Sequence, residues 1–299
     1  MTVLVLGGNG QLGQELLRAL AHLGPVVATT RGGLLTDGTA CEVADLDVPA
    51  ALPSLFDRLR PSVVINAAAY TAVDRAEQEP EVARRANTEA PARMAGWCAE
   101  HAVPFVHFST DYVFDGQARS PYAEDAATAP LNVYGTTKRD GEDAIRAGGG
   151  RHLIFRTAWV YAEHSANFLR TMLRLGAQRD VLRVVADQVG TPTPAALIAD
   201  VTARALRHPD GLSGTWHLTA TGETSWHGFA EAIFAAAVAQ GVLPRAPQVE
   251  AITTAEFPTP ARRPAYSHLD VTRLQADFGI SLPSWQEGLA QVMARLPAR

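Results

Sequence analysis

The chain has 299 residues, 26 basic against 31 acidic, and a formal net charge of −5. That length allows one large or two modest domains with ample core, and the mild acidity argues against nucleic acid as the main partner. Apolar content is ordinary and no apolar run reaches the ~18 residues of a membrane span, which excludes global disorder and a membrane helix.

The N-terminus has no basic region ahead of its first apolar run, so no secretory signal is expected. Cys41 and Cys98 form no CxxC or metal spacing, a pattern that fits the reducing cytoplasm. The chain is rich in alanine and arginine, and Lys138 is its single lysine.

In chain order, Met1–Gly7 reads as a short strand and Gln11–Leu23 as a helix. Pro25–Thr29 and Ser62–Ile65 read as strands, Pro80–His101 as one long helix, and Pro104–Phe108 as a strand. Leu131–Arg146 reads as a helix and His152–Thr157 as a strand. Strands alternating with helices in this way predict an α/β fold built on a doubly wound parallel sheet with right-handed crossovers. Beyond residue 160 the pattern loosens. Asn167–Leu175, Ala195–Leu206 and Trp226–Gln240 read as helices and Gly214–Leu218 as a strand, with proline-rich turns at 190–194 and 258–264.

Gly7, Gly10 and Gly13 have the spacing G-x-x-G-x-x-G between the first strand and the first helix. The first glycine permits a tight turn, the second lets a pyrophosphate approach the backbone, and the third lets helix and strand pack closely. The helix N-terminus adds free N–H groups and a positive dipole end. This predicts a Rossmann-type NADP(H)-binding domain over 1–160, with later segments returning to it, and a smaller, mainly substrate-binding region over 161–299. The second strand ends in Thr29-Thr30-Arg31 with no acidic residue. The expectation is therefore NADPH rather than NADH, with Arg31 on the 2′-phosphate and NADH still usable.

Tyr134 and Lys138 form Tyr-x-x-x-Lys within a predicted helix, which puts both on one face. A free tyrosine is a poor acid–base group at neutral pH, and a nearby ammonium lowers its pKa. Lysine also reaches ribose hydroxyls with a compact head that arginine lacks, so the single lysine reads as retained for chemistry. Thr110 ends the Pro104–Phe108 strand region at the carboxyl edge, where such sheets bind ligands. Its hydroxyl can donate to a substrate carbonyl oxygen or accept from its alcohol, with Asp111 beside it.

Together with Asn66-Ala67-Ala68-Ala69 and Ser109–Phe114, these motifs resemble the extended short-chain dehydrogenase/reductases. More narrowly, 67–77, 156–161, 187–193, Thr215–His217 with Trp226-His227, and 259–264 resemble the dTDP-4-dehydrorhamnose reductase family, nearly end to end. The resemblance implies NADPH-dependent reduction of the C4 ketone of dTDP-4-dehydro-6-deoxy-L-mannose to dTDP-L-rhamnose. It implies that Tyr134 protonates the C4 oxygen, Lys138 tunes it and holds the nicotinamide ribose, and Thr110 orients the carbonyl. Asp111 and Trp159 would meet the sugar. Gly10, Gln11 and Leu12 would hold pyrophosphate, Asp45 and Leu46 would border adenine, and Ala67, Ala68, Ala69, Tyr70 and Thr71 would line the cofactor channel. The C-terminal region would take the dTDP handle, with charge from Arg262 and Arg263.

Some family members dimerise around magnesium held by glutamates. Glu15 and Glu287 match two of those positions, but Ala196 replaces a third, and fewer carboxylates weaken a hard-cation site. The expectation is no metal, and a monomer or weak homodimer. Tyr70 stands where the family often has histidine.

Two rival readings stay open: a reductase of another nucleotide-linked 4-keto-6-deoxysugar, and a non-catalytic NADP-binding regulatory subunit. His107, His152, His217 and His227 lack metal-site spacing and read as hydrogen-bonded strand or turn residues. A serine-hydrolase elbow is absent.

Overall fold

The computed structural model describes residues 2–296. Its strands are β1 (Val3–Leu6), β2 (Val26–Thr30), β3 (Glu42–Val43), β4 (Val63–Asn66), β5 (Phe105–Thr110), β6 (His152–Thr157), β7 (Val160–Tyr161), β8 (Val181–Val185), β9 (Val189–Gly190), β10 (Thr193–Pro194), β11 (Gly214–His217), β12 (Thr224–Ser225) and β13 (Gln248–Ile252). The principal sheet has seven strands in the order β11-β6-β5-β4-β1-β2-β3. Every pairing in it is parallel.

The helices are α1 (Gln11–Leu20), α2 (Leu52–Leu59), α3 (Val73–Ala76), α4 (Pro80–Arg84), α5 (Ala90–Glu100), α6 (Val133–Ala147), α7 (Phe168–Gly176), α8 (Ala195–Ala205), α9 (Trp226–Ala239), α10 (Thr272–Phe278) and α11 (Trp285–Ala294).

The two-residue period of the strands sorts the core onto two faces. Val3, Val5, Val63, Ile65, Val106 and Phe155 pack with Leu16 of α1, Ile198 of α8 and Leu274 of α10. Their neighbours Leu4, Leu6, Val64, Phe105 and Ile154 pack with Phe56 of α2 and Met94 and Trp97 of α5 on the other face. A separate cluster joins Leu169 of α7, Leu182 of β8, Phe229 of α9 and Leu289 of α11. Segments 195–205, 214–217 and 272–278 thus pack on the principal sheet although they follow α7 and β8 in the chain.

The long helix expected over Pro80–His101 is not regular. Arg85–Glu89 forms a π-turn between α4 and α5, closed by the Ala90 N–H on the Arg85 carbonyl. Pro91 lies just beyond and has no N–H to offer the Asn87 carbonyl, so the regular ladder breaks there. The helix expected from Leu131 starts at Val133, because Asn132 caps it by accepting the Gly135 N–H at 2.7 Å.

Strand order reverses at β1, which lies between β2 and β4. A crevice opens at such a point beyond the carboxyl ends of the strands. The loops after β1, β2 and β4 therefore converge there.

Candidate active site

A cavity of about 930 Å³ fills the crevice. Gly7, Gly10, Arg31, Asp45, Leu46, Ala68, Ala69, Tyr70 and Thr71 all line it. Gly7 has φ +84°, and a Cβ there would lie 2.9 Å from the Ala68 backbone. A Cβ on Gly13 would lie 2.0 Å from the Gly7 carbonyl oxygen. Both positions demand glycine for close backbone approach. Helix α1 opens at Gly10 with no side-chain cap, which leaves its first N–H groups for a ligand.

Gln11 and Leu12 can offer a pyrophosphate their backbone N–H groups, not their side chains. The Leu12 side chain belongs to the core, so only its backbone is available. Gln11 turns away, its carbonyl oxygen accepting from the Asn167 side chain at 2.9 Å. Ala67 is partly buried behind the cleft, and its N–H goes to the Leu6 carbonyl at 3.1 Å. Arg31 is exposed at the rim. Tyr70, in the family's histidine position, donates to Glu79 at 2.7 Å, and Glu79 also holds Arg75.

Asn87, which the sequence reading missed, clamps this wall to the next element. Its side-chain Oδ1 accepts the Tyr70 N–H at 2.9 Å, and its Nδ2 donates to Thr137 of α6 at 3.2 Å. The signal for it was Gly141. A Cβ there would lie 2.2 Å from the Asn87 backbone carbonyl oxygen, so the helices touch at a glycine.

Helix α6 brings Tyr134 and Lys138 to the carboxyl end of β5. Its buried Glu142 takes a bidentate pair from Arg156 of β6 at 2.9 and 2.8 Å, which fixes the helix on the sheet. Burial pushes the Tyr134 phenol up to about 12, with the Thr110 hydroxyl pulling it down and the Asp111 charge adding to the rise. The sequence leads one to expect a nearby ammonium to lower this value; in the folded chain burial sets its direction instead. Lys138 Nζ donates to the Phe108 carbonyl at 2.6 Å and touches His107 Nε2 at 2.9 Å.

Thr110 accepts the Tyr112 N–H at 3.1 Å and donates to Asp111 Oδ1 at 3.0 Å. Asp111 Oδ2 is buried without a hydrogen-bond partner among the described residues. Burial holds this carboxyl up to about 6, against the pull of Ser267 and Thr110. Trp159 sits at φ +47°, a strained setting for a non-glycine residue, and stacks on Trp226 with ring centroids 3.6 Å apart.

A second cavity of about 720 Å³ begins at Trp226 and is walled by Phe168, Met172, Val184, Gln188 and Phe257. Arg179, Arg183 and Arg263 also line it. Arg263 is already paired with Asp74 at 2.7 Å. Arg262 does not line the cavity. Its side chain is exposed, and its carbonyl accepts from Asn132 at 2.8 Å.

Away from this site, buried Glu15 takes hydrogen bonds from Arg18 at 2.6 Å and meets His164 at 2.7 Å. Glu15, Glu163 and His164 place donor atoms within 4.8 Å of one another. Arg295 also lies 3.5 Å from Glu15. Glu287 instead closes a capping box with Ser284 at the start of α11, and Ala196 is in the first turn of α8.

Residues 1–297 match the RmlD substrate binding domain. The chain belongs to that family. It is 46% identical over 295 residues to a dTDP-4-dehydrorhamnose reductase of Burkholderia thailandensis, covering 96% of each chain. It is 39% identical to a probable dTDP-4,6-dihydroxy-2-methyloxan-3-one 4-ketoreductase of Streptomyces antibioticus, covering 97% of this chain and 94% of that one. It also superposes, with a TM-score of 0.88 and 33% identity over 98% of each chain, on a dTDP-4-dehydrorhamnose reductase of Bacillus anthracis solved in complex with NADP. As in those reductases, a Rossmann-type parallel sheet forms the body of the molecule, and no described helix is long and apolar enough to cross a membrane.

Proposed function

We infer that the protein is an NADPH-dependent reductase that converts the C4 ketone of dTDP-4-dehydro-6-deoxy-L-mannose to the alcohol of dTDP-L-rhamnose. The carrying observation is that Thr110, Tyr134 and Lys138 gather at the carboxyl edge of a sheet whose glycine loop shapes a dinucleotide cleft. Gly7 and Gly10 on the cleft wall and the uncapped start of α1 fit a pyrophosphate, and Arg31 at the rim fits a 2′-phosphate. NADPH supplies the hydride for C4.

The rest of the chemistry falls to the chain. Tyr134, kept protonated by burial, donates its phenolic proton to the developing C4 alkoxide. Thr110 orients the ketone oxygen, and the Lys138 ammonium supports the phenolate left behind. The unpaired Asp111 oxygen accepts a sugar hydroxyl, and Trp159 packs on the 6-deoxy edge. The second cavity takes the dTDP handle, with Phe168, Trp226 and Phe257 for the base and Arg179, Arg183 and Arg263 for the diphosphate. The reading includes no metal, a monomer or weak homodimer, and a reducing cytoplasmic setting that suits two free cysteines.

The test is NADPH oxidation with the dTDP-4-keto sugar, followed by NMR of the product. Stoichiometric oxidation with an L-rhamno product supports the reading. The Streptomyces relative favours a second reading, in which another nucleotide-linked 4-keto-6-deoxysugar is the substrate. An L-talo product, or turnover only with a different keto sugar, selects that one.

A further inference from the structure

The buried ring of His107 on β5 stands between Asn66 on β4 and Lys138 on α6. Asn66 Oδ1 takes the Ala68 N–H at 3.1 Å, which turns the amide nitrogen toward His107 Nδ1, 3.2 Å away. An amide NH₂ only donates, so Nδ1 is the acceptor, and a neutral ring then carries its proton on Nε2. That Nε2 lies 2.9 Å from Lys138 Nζ, which also donates to the Phe108 carbonyl at 2.6 Å. An amine accepts from Nε2–H, whereas an ammonium has no lone pair and cannot. A protonated Lys138 therefore forces one mismatch. Either two donors meet at Nζ, or the ring changes tautomer and its Nδ1–H meets the Asn66 NH₂.

We propose that His107 is a positioning residue for the reduction: its tautomer, fixed by Asn66, sets the pH at which Lys138 gives up its proton, a role that rests on reading Lys138 as the partner of Tyr134. The other groups around Lys138 are few. Its own helix supplies Tyr134 and Glu142, one turn before and one turn after. The end of β5 supplies Asp111. From β6, Arg156 reaches Glu142 and is paired with it, and Arg146 flanks the same carboxylate at 3.2 Å. The π-turn presents only the neutral side chains of Asn87 and Thr88, which bond to Thr137. Glu142 is thus the nearest group on the helix that favours the ammonium, and His107 is the one in hydrogen-bond contact that opposes it. Burial lowers Lys138 to about 8, with Glu142 acting against the fall. Burial, together with the Lys138 charge, drives His107 well below its ordinary value. The ammonium is the form that supports the Tyr134 phenolate, so turnover falls as pH rises through the Lys138 transition.

Two measurements test the assignment. Histidine-selective ¹⁵N NMR of the full-length protein reads the tautomer without turnover, and the His107→Gln spectrum identifies the signal. The expected ring is Nε2–H in alkaline solution, where Lys138 is an amine that can accept from it. An Nδ1–H ring in alkaline solution overturns the proposal.

The second measurement is the pH dependence of kcat for His107→Gln. Its amide oxygen can accept from the ammonium, so the alkaline limb moves up by about one pH unit or more. A limb that stays in place while the overall rate drops makes His107 a packing residue and overturns the proposal. Failure of the Tyr134–Lys138 chemistry is a separate outcome: it appears as retained turnover in Tyr134→Phe and leaves the tautomer result standing.

Discussion

The Asn132 side chain donates to the Arg262 carbonyl at 2.8 Å while its own oxygen caps helix α6. One residue therefore ties the start of the helix that carries Tyr134 and Lys138 to the loop that leads into the second cavity. Asn132→Ala removes both bonds. Loss of the cap costs about 1 kcal/mol, read by urea unfolding. Because the helix start and the Arg263 loop lose their common anchor, KM for the nucleotide sugar rises more than KM for NADPH.

Lys138→Arg tests why the single lysine is where it is. The slot between the Phe108 carbonyl and His107 admits one nitrogen with donors in any direction. A planar guanidinium is larger and fixed in shape. The variant loses kcat by about 100-fold or more, on the scale of a displaced catalytic group. Near-normal kcat contradicts a specific role for the amine.

Asp111 makes turnover and stability pH-dependent in opposite senses. Burial raises its folded value from 3.8 to about 6. Between those two values the folded protein keeps a proton that the unfolded chain has lost, so this group favours folding in acid and loses that contribution as pH rises toward 6. Asp111→Asn therefore gains stability at neutral pH relative to pH 4, by up to about 2–3 kcal/mol. In catalysis the carboxylate is the form that accepts a sugar hydroxyl. The kcat/KM for the nucleotide sugar rises through about pH 6 in the wild type, and Asp111→Asn flattens that limb at a lower level.

Arg31 makes no contact that the fold needs and faces the cofactor cleft. Arg31→Ser raises KM for NADPH by about tenfold, the order of one charge-assisted contact, and leaves KM for NADH almost unchanged. Steady-state comparison of the two cofactors reads the difference, and equal effects on both place the 2′-phosphate elsewhere.

The parallel sheet, the glycine loop and the Tyr134–Lys138 pair were legible because each is local: a period of two or 3.6, a spacing of three, a spacing of four. The π-turn at Arg85–Glu89 was not, since the apolar spacing continues across it and only the missing N–H of Pro91 marks the break. Strands β8 and β13 pair with each other on the strength of contacts 67 residues apart, as in Val181 with Gln248, and short mixed segments give little periodic signal. Arg262 and Arg263 look alike in sequence, yet Asp74, 189 residues from Arg263, decides which of them turns inward. His107 was read as a hydrogen-bonded strand residue; its partner was hidden because Lys138 lies 31 positions away.

The most direct test of the chemistry is Tyr134→Phe, with NADPH affinity and turnover of the dTDP-4-keto sugar measured on the same sample. The substitution keeps the buried ring and removes only the acidic proton. Affinity for NADPH stays close to that of the wild type while turnover falls by about 1,000-fold or more, within the range for loss of a general acid. Turnover close to wild type would contradict Tyr134 as the proton donor.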